Sequence, residues 1–454
     1  MGGIFGVNLN TTGFGLGTGI DVQSTVATLI AAARAPEQAM IQEQQLFQSQ
    51  TSAINNLNTL LTTLQNAVNG LKDQSGQLAN RVANSSNTNV LTAGAAAAAN
   101  LGSHTIAVSA LATTSSYVTT ALADGNTAFG TGQFTLQVGT NAPVTVTVDS
   151  TRNTLNGLAA YINSQNYGVT ANVITDASGA RLSIVSNNSG APGDLTVSGN
   201  TTGLTLNKAV TGTNASLVVD GIAVSSASNT VTSAINGVTL NLVGTSASPV
   251  TLTVNPDTTQ ATAAINTFVS AYNAVAQAIN TQFTFTQGAS AQPPLFSDSS
   301  LQQVQQTLNT DLNYSITGNN GIISLTSIGV NVQQDGTLQV DSGTLASALS
   351  NNFSNVQSFF QQVTGPNGFA VQFSTDLANL TDPVKGPLYT DLQGVQQSLT
   401  SVTNDISNFE ANIATQQQTL TQEFSQVNAT LQMLPSLIAQ ITGQLNSSGG
   451  TSGL

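Results

Sequence analysis

The sequence predicts a multidomain α+β protein, in which a helical coiled-coil stalk formed by the N- and C-terminal segments carries inserted β-rich head domains. Three observations predict this class. Apolar residues recur at helical spacing near both ends of the chain. The middle instead alternates apolar and polar residues, with the period of a strand. The length of 454 residues is also too great for one ordinary domain.

The N-terminal helical segment begins after Asp21, whose carboxylate suits an N-cap. Val22, Val26 and Leu29 follow at helical spacing, and Pro36 predicts a break or kink. Farther along, apolar residues step by three and four, as the a and d positions of a coiled coil do. The members of this run are Ile54, Leu57, Leu61, Leu64, Val68 and Leu71. Such an apolar stripe requires a partner.

The predicted partner is the C-terminal segment, in which apolar residues alternate steps of four and three from Leu388 to Leu445. Gln416 is the one polar position of this seam. The packing positions predicted for the coiled coil are Leu399, Val402, Ile406, Phe409, Ile413, Leu420 and Phe424. Pro435 should kink the helix or end its regular hydrogen-bond ladder. We therefore expect one antiparallel stalk from the two ends of the chain.

Alternating segments in the middle of the chain predict strands. A hairpin, a short helix around Leu158 and three more strands are expected in the first half of this region. The predicted strands are Phe134–Val138, Val144–Val148, Val169–Val173, Leu182–Val185 and Leu195–Val197. Asp220-Gly221 and Asn236-Gly237 predict tight turns that require positive φ. The next two strands, Gly237–Val243 and Val250–Val254, are expected to pair with each other.

The helical period returns from Thr258. We expect one helix through Ile265–Ile279, a second over Ser299–Leu312 capped by Ser297 or Asp298, and a third over Leu345–Phe360. A hairpin should turn at Asp335-Gly336. The predicted domains are a flexible segment with a terminal helix (1–40), a helical leg (41–87 with 257–430), a β-rich head (88–122 with 216–256), a second head inserted in the first (123–215), and a terminal helix with a tail (431–454).

Composition excludes several functions. The chain has 20 acidic and 7 basic residues, and no Lys or Arg lies between Lys208 and Lys385. Nucleic-acid binding needs clustered cations, so we expect no nucleic-acid partner. Cysteine is absent, which removes disulfides and thiolate chemistry. No apolar run is long enough to predict membrane insertion.

No catalytic, cofactor-binding or metal-binding residue is predicted. His104 is the one histidine, and a lone histidine in a strand is usually a satisfied polar side chain. The best enzyme hypothesis is a glycosidase with paired carboxylates. Its acids are thinly scattered, however, and the chain has no Trp to stack on a sugar. A stronger alternative is a surface adhesin whose β modules bind glycans or host proteins.

Several blocks, taken in order, resemble the flagellar filament-capping family known as hook-associated protein 2. Their ordered combination is more specific than any one of them. The blocks are Gly15–Asp21 with Arg34–Pro36, Asn236–Leu242, Pro249–Val254, Ile265–Asn273, Ile328–Val332 with Asp335–Asp341, and the long C-terminal helix.

This resemblance implies an assembly factor, not an enzyme, that is secreted and acts outside the cell at the tip of the bacterial flagellum. Implied partners are other copies of the chain in a ring of about four to six subunits, flagellin, hook–filament junction proteins and an export chaperone. The coiled-coil positions given above would serve self-assembly. Contacts with the filament or chaperone would use Val22, Val26, Leu29, Leu431, Leu434, Ile438, Ile441 and Leu445. The segments Ile20–Ala33 and Leu431–Leu445 would become ordered only in the assembly. Another secreted flagellar axial protein is the remaining alternative.

Overall fold

The computed structural model describes residues 21–285, 287, 292–362 and 367–448. The predicted flexible segment over residues 1–20, including Ile20, and the tail over 449–454 lie outside the described residues. Leu445 belongs to the last helix, but its side chain also lies outside the description.

The described chain is a mixture of helices and antiparallel strands, as predicted. Its helices are α1 (Val22–Ala33), α2 (Ala35–Lys72), α3 (Leu155–Ser164), α4 (Thr258–Phe283), α5 (Ser299–Leu312), α6 (Ser342–Asn351), α7 (Phe353–Gln361), α8 (Phe369–Leu380) and α9 (Pro387–Ser448). Its strands are β1 (Arg81–Ser85), β2 (Leu91–Ala95), β3 (Gly102–Ala110), β4 (Thr114–Thr119), β5 (Gly132–Val138), β6 (Val144–Val148), β7 (Val169–Asp176), β8 (Gly179–Ser189), β9 (Leu195–Ser198), β10 (Leu206–Val210), β11 (Ala215–Val219), β12 (Ile222–Ser226), β13 (Thr230–Ile235), β14 (Val238–Leu242), β15 (Val250–Pro256), β16 (Val330–Val332) and β17 (Leu338–Val340).

The leg is a helical core built from α2, α4 to α8, the β16–β17 hairpin and the start of α9. The six apolar residues of the α2 run, Ile54 to Leu71, are each at most 3% exposed. They face an aromatic cluster in which Phe369 of α8 stacks on Phe359 at 5.6 Å and meets Phe373 edge-on at 5.5 Å. The side chain of Gln361 caps the end of α2, donating to the Leu71 and Asp73 carbonyls at 3.0 and 2.7 Å.

Two sequence expectations in the leg are corrected. The single helix expected over Leu345–Phe360 is two helices, α6 and α7, because the backbone leaves the helical region at Asn352, where φ is −134°. Helix α8 was not expected, although its buried apolar residues recur at steps of three and four. Of the two residues expected to cap α5, Ser297 and Asp298, the N-cap is Asp298, whose Oδ1 accepts the Leu301 N–H at 2.8 Å.

The first head module is a five-stranded sheet, in the order β1-β15-β3-β11-β12, facing a three-stranded sheet in the order β13-β14-β2. The expected pairing of Gly237–Val243 with Val250–Val254 is therefore wrong. β14 pairs with β13 and β2, whereas β15 pairs with β1 and β3. Both segments bury alternate residues in one core from opposite sheets, so the alternation gave no information on which sheet each one joins.

The second head module contains a sheet in the order β10-β4-β8-β7, a sheet in the order β6-β5-β9, and α3 over their shared core. The expected hairpin of β5 and β6 is confirmed by their antiparallel register. Two strands fall on the other side of the expected domain limits. β1 lies before residue 88 but pairs with β15 of the first module, and β4 lies before residue 122 but pairs with β8 and β10 of the second.

The two expected tight turns connect strands of the first module. Asp220 and Gly221 both have positive φ, 51° and 85°, between β11 and β12. In the turn at Asn236-Gly237, which connects β13 and β14, only Gly237 has a positive φ, of 72°. A Cβ on Gly237 would approach the Ala99 Cα to 2.8 Å, so this turn needs glycine for space as well as for its backbone angle.

We predict that Phe369→Ala lowers the free energy of unfolding of the leg by about 3–5 kcal/mol, because it removes the ring at the centre of the aromatic cluster. Urea unfolding followed by the helical circular dichroism signal measures this loss. The matched control is Asn379→Ala, an exposed change on the same helix, which should alter the midpoint by less than about 0.5 kcal/mol. Equal effects of the two changes would contradict the proposed leg core.

Candidate assembly surface

The N-terminal helix packs on the C-terminal helix through a small apolar cluster. Val26, Ile30 and Ile413 are its buried members, at 3%, 7% and 3% exposure. The half-buried residues packed around them are Val22, Ala33, Phe409, Leu420 and Phe424. Asp21 caps α1 as expected, because its Oδ1 accepts the Ser24 N–H at 3.1 Å. The segment from Val22 to Ala33 is thus a helix that packs within a single chain, contrary to the expectation that it becomes ordered only in an assembly.

Helix α9 runs antiparallel to α1 and α2. Its start, at Leu388, lies in the leg core that also contains Ile54. Farther along, the Gln44 Nε2 donates to the Thr403 Oγ1 at 3.0 Å, and the cluster around Ile413 reaches α1. Residue numbers therefore fall along α1 and α2 as they rise along α9. At about 1.5 Å per residue, the 62 residues of α9 extend over roughly 90 Å.

The expected coiled-coil positions divide into two groups. Those of α2, from Ile54 to Leu71, contact α4 and α8 as well as α9, so they form the leg core instead of a two-helix seam. Those of α9 lie along the stalk. Val402 and Ile413 are buried, and Leu399, Ile406, Phe409, Leu420 and Phe424 are half-buried. A single chain does not test self-assembly, so that role of both groups stays a prediction.

An ion pair lies at the joint between α1 and α2. Pro36 occupies the first turn of α2, and the break it predicts falls at Arg34. The Arg34 guanidinium donates to both carboxylate oxygens of Glu37, at 3.0 and 2.8 Å. Glu37 is only 6% exposed, so this contact gives a buried carboxylate the partner it requires. The ion pair therefore lies at the break between the two helices, next to the proline.

Beyond Phe424 the apolar face of α9 continues without a partner in the described part of the chain. We call Val427, Leu431, Leu434, Ile438 and Ile441 the terminal stripe. Its steps of four and three extend the seam that packs on α1. Leu431 is half-buried, but Ile438 and Ile441 are 49% and 54% exposed. An exposed apolar face of this length is typical of a surface that binds another protein.

Pro435 lies inside the last helix and does not end it. Proline cannot donate the N–H that continues the ladder. The helix nevertheless runs through Pro435 to Ser448 and does not end there. Continuity is possible because one missing hydrogen bond on an exposed helix leaves a carbonyl that solvent can satisfy. The terminal stripe is therefore presented on one continuous helix.

His104, the one histidine of the chain, lies in the first head module. His104 is a satisfied polar residue as expected, since its Nδ1 lies 2.7 Å from the Asp220 Oδ2. This hydrogen bond, with the one from the Thr105 N–H, lowers the pKa of Asp220. No group of three or more His, Cys, Asp or Glu residues in the described ranges is placed to hold a metal. None of the helices in those ranges combines the length and apolarity that crossing a membrane requires.

Two carboxyl pairs exist, but they do not fit the glycosidase hypothesis. Asp311 hydrogen-bonds to Asp376, and Asp391 to Asp298. A glycosidase separates its carboxyl groups by about 5–9.5 Å to leave room for the sugar or a water molecule. Carboxyl groups in direct contact leave no such space, and Asp311 is only 4% exposed.

We predict that Ile413→Asp releases α1 from α9, because it places a carboxylate against the apolar side chains of Val26 and Ile30. Hydrogen exchange of the α1 amides should accelerate about 30-fold, which corresponds to about 2 kcal/mol. The control Thr415→Asp adds the same charge on an exposed position of α9 and should leave α1 protected. Unchanged exchange in Ile413→Asp would show that this cluster does not hold the two ends together.

Family models match both ends and the middle of the chain. The model of the flagellar hook-associated protein 2 N-terminus matches residues 18–115, and that of its C-terminus matches residues 212–436. A model described as the flagellin hook IN motif matches residues 133–188, inside the second head module. The C-terminal match ends at residue 436, within the terminal stripe.

Relatives with this family name match almost the whole chain. The B-type flagellar hook-associated protein 2 of Pseudomonas aeruginosa is 29% identical, over 94% of this chain and 95% of the relative. The flagellar hook-associated protein 2 of Escherichia coli K12 is 28% identical, over 96% of this chain and 98% of the relative. The crystal structure of the D1-D2-D3 domains of the flagellar cap protein FliD from Escherichia coli covers 76% of this chain and 99% of its own, with 27% identity and a TM-score of 0.58. The chain belongs to the flagellar hook-associated protein 2 family.

Proposed function

We propose that this chain caps the tip of the bacterial flagellar filament outside the cell and promotes the folding and insertion of flagellin subunits there. The observation that carries this proposal is the match of both terminal family models, together with a fold like that of the Escherichia coli flagellar cap protein. The role is structural, and no step of it requires a catalytic residue or a cofactor.

The terminal stripe is the surface we assign to the filament. Ile438 and Ile441 are apolar, about half exposed, and aligned with the seam below them. Flagellin or the hook–filament junction proteins would bury this face, and burying one such side chain contributes about 1.5–3 kcal/mol. An export chaperone would bind the same face before assembly, because an exposed apolar helix face is prone to aggregation until a partner buries it.

Among the N-terminal residues assigned to these contacts, exposure separates two groups. Val26 is buried against Ile413, so a partner reaches it only after α1 moves. Val22 and Leu29 are half-buried and lie at the edge of the same helix. We therefore assign the first contact with the filament to the terminal stripe of α9, with Leu445 in continuation, and a secondary contact to Val22 and Leu29.

Self-assembly into a ring is proposed for the same chain, with about four to six copies in closed symmetry. Only 6% of the residues are charged, so contacts between copies would rely on shape and on Gln, Asn, Ser and Thr hydrogen bonds. The relatives that match carry the name hook-associated protein 2. This name supports a capping function in preference to the two alternatives, another axial protein and an adhesin.

We predict that deleting the gene leaves short or missing filaments and releases flagellin monomers into the medium. Complementation with the double variant Ile438→Ser and Ile441→Ser should not restore full-length filaments, because both changes remove apolar area from the terminal stripe. Filament length by electron microscopy and free flagellin by immunoblot are the two measurements. Normal filaments without the gene would refute the capping function.

The matched control for the stripe is Gln432→Ser with Gln440→Ser, two exposed positions on the same helix. These changes cost at least as much helix propensity as the two Ile changes, because Gln is a better helix former than Ile, but they remove no apolar contact. Complementation should therefore be normal. A double Ile variant that also complements normally would show that filament contact lies elsewhere, while leaving the capping function itself intact.

A further inference from the structure

Helix α5 is bordered at each end by an acidic pair that is not used in the assembly surface. At its C-terminal end, Asp311 is buried, and its carboxyl group meets that of Asp376 on α8. The Asp311 Oδ2 has no N–H or side-chain O–H donor among the described residues. Asp376 receives one hydrogen bond of its own, from the Gln372 Nε2 at 2.8 Å. Two ionised carboxylates cannot hydrogen-bond to each other, so this contact requires a shared proton.

The N-terminal end of α5 repeats the arrangement against a different helix. Asp298 caps α5 through its Oδ1, and its carboxyl group also hydrogen-bonds to that of Asp391 on α9. The Asp391 Oδ2 is buried, again without an N–H or side-chain O–H donor from the described chain. Each end of the helix is therefore attached to a neighbouring helix by a contact that needs one proton.

The groups that face these carboxyls are acidic or phenolic. Asp376 of α8 faces Asp311, and the Tyr272 phenol of α4 lies within its electrostatic reach. Asp298 faces Asp391. In the ranges that the structure describes, no Lys or Arg is among the groups that shift the pKa of either carboxyl. Neither pair thus has a cation that could replace the proton.

We propose that α5 is a proton-dependent latch, in which one shared proton at each end holds it to α8 and α9, and loss of these protons loosens it from the leg. Apart from Asp311, the buried side chains of α5 are apolar, namely Leu301, Val304, Leu308 and Leu312. Repulsion at both ends therefore acts on a helix for which the described ranges show no ion pair. The leg that supports the cap would then lose rigidity in alkaline medium.

The direction of the effect follows from the pKa values. Burial, reinforced by Asp376, raises the pKa of Asp311 to about 8. Burial and Asp298 raise the pKa of Asp391 to about 6. Both are near 4 when the chain is unfolded. A raised folded pKa means that the stabilisation is complete below about pH 4. It is lost as the pH rises, by about pH 6 at Asp391 and by about pH 8 at Asp311.

Hydrogen exchange of the α5 amides in the full chain, corrected for the intrinsic effect of pH, tests this latch. Opening of α5 should increase by up to about tenfold per pH unit between about pH 6 and 8, and then level off. Asp311→Asn keeps a hydrogen-bond donor toward Asp376 but has no proton to lose, so the increase should disappear. If the first variant does not fold, Asp376→Asn provides a second test. It removes the neighbouring carboxylate but leaves Asp311 buried, so the increase should become smaller without disappearing.

Two controls make the outcome decisive. Asp405→Asn neutralises an exposed carboxylate of α9 and should retain the full pH dependence. The measurement is repeated with EDTA and with millimolar Mg²⁺. Protection of α5 that does not change with pH in the native chain, or a dependence as steep in both Asn variants as in the native chain, would overturn the proposal. Recovery of protection at pH 9 with Mg²⁺ would overturn it too, because the pairs would then be a cation site.

Discussion

The apolar seam along one face of α9 is the contact on which the rest of the structure depends. Its first turns complete the core of the leg beside α2 and α4. Its middle holds α1 through Ile413, Val26 and Ile30. Its last turns carry the terminal stripe, which has no partner among the described residues. One repeated spacing thus serves three purposes, because the neighbours change along the helix while the face does not.

Scarcity of charge determines how the remaining contacts are made. Few ion pairs are available to orient helices, so amide and hydroxyl groups orient them instead. Gln361 caps the end of α2, and Gln44 of α2 donates to Thr403 of α9. Those acids that are buried need either a cation, as Glu37 has in Arg34, or a shared proton, as Asp311 has with Asp376. The first arrangement lies at the joint of the stalk, and the second makes the leg sensitive to pH.

Local patterns were sufficient to predict the helices and strands but not their partners. The steps of three and four from Ile54 to Leu71 indicated a buried face, yet the face is shared by α4 and α8 as well as α9, which no local spacing could specify. β14 and β15 were paired wrongly because strands of either sheet bury alternate residues in the same way. The spacing of α8 could have revealed it. The acidic pairs could not be predicted, since their partners are far apart in sequence and only the fold brings them together.

The antiparallel packing of α9 on the N-terminal helices is tested most directly by crosslinking, which the absence of cysteine makes clean. A chain with Gln44→Cys and Thr403→Cys is treated with a short bismaleimide, because these two side chains are in contact. We expect a rapid crosslink within one chain. Gln44→Cys with Thr421→Cys, separated by about 27 Å more along α9, should not react. Equal crosslinking of both pairs, or crosslinks only between chains, would contradict the stalk described here.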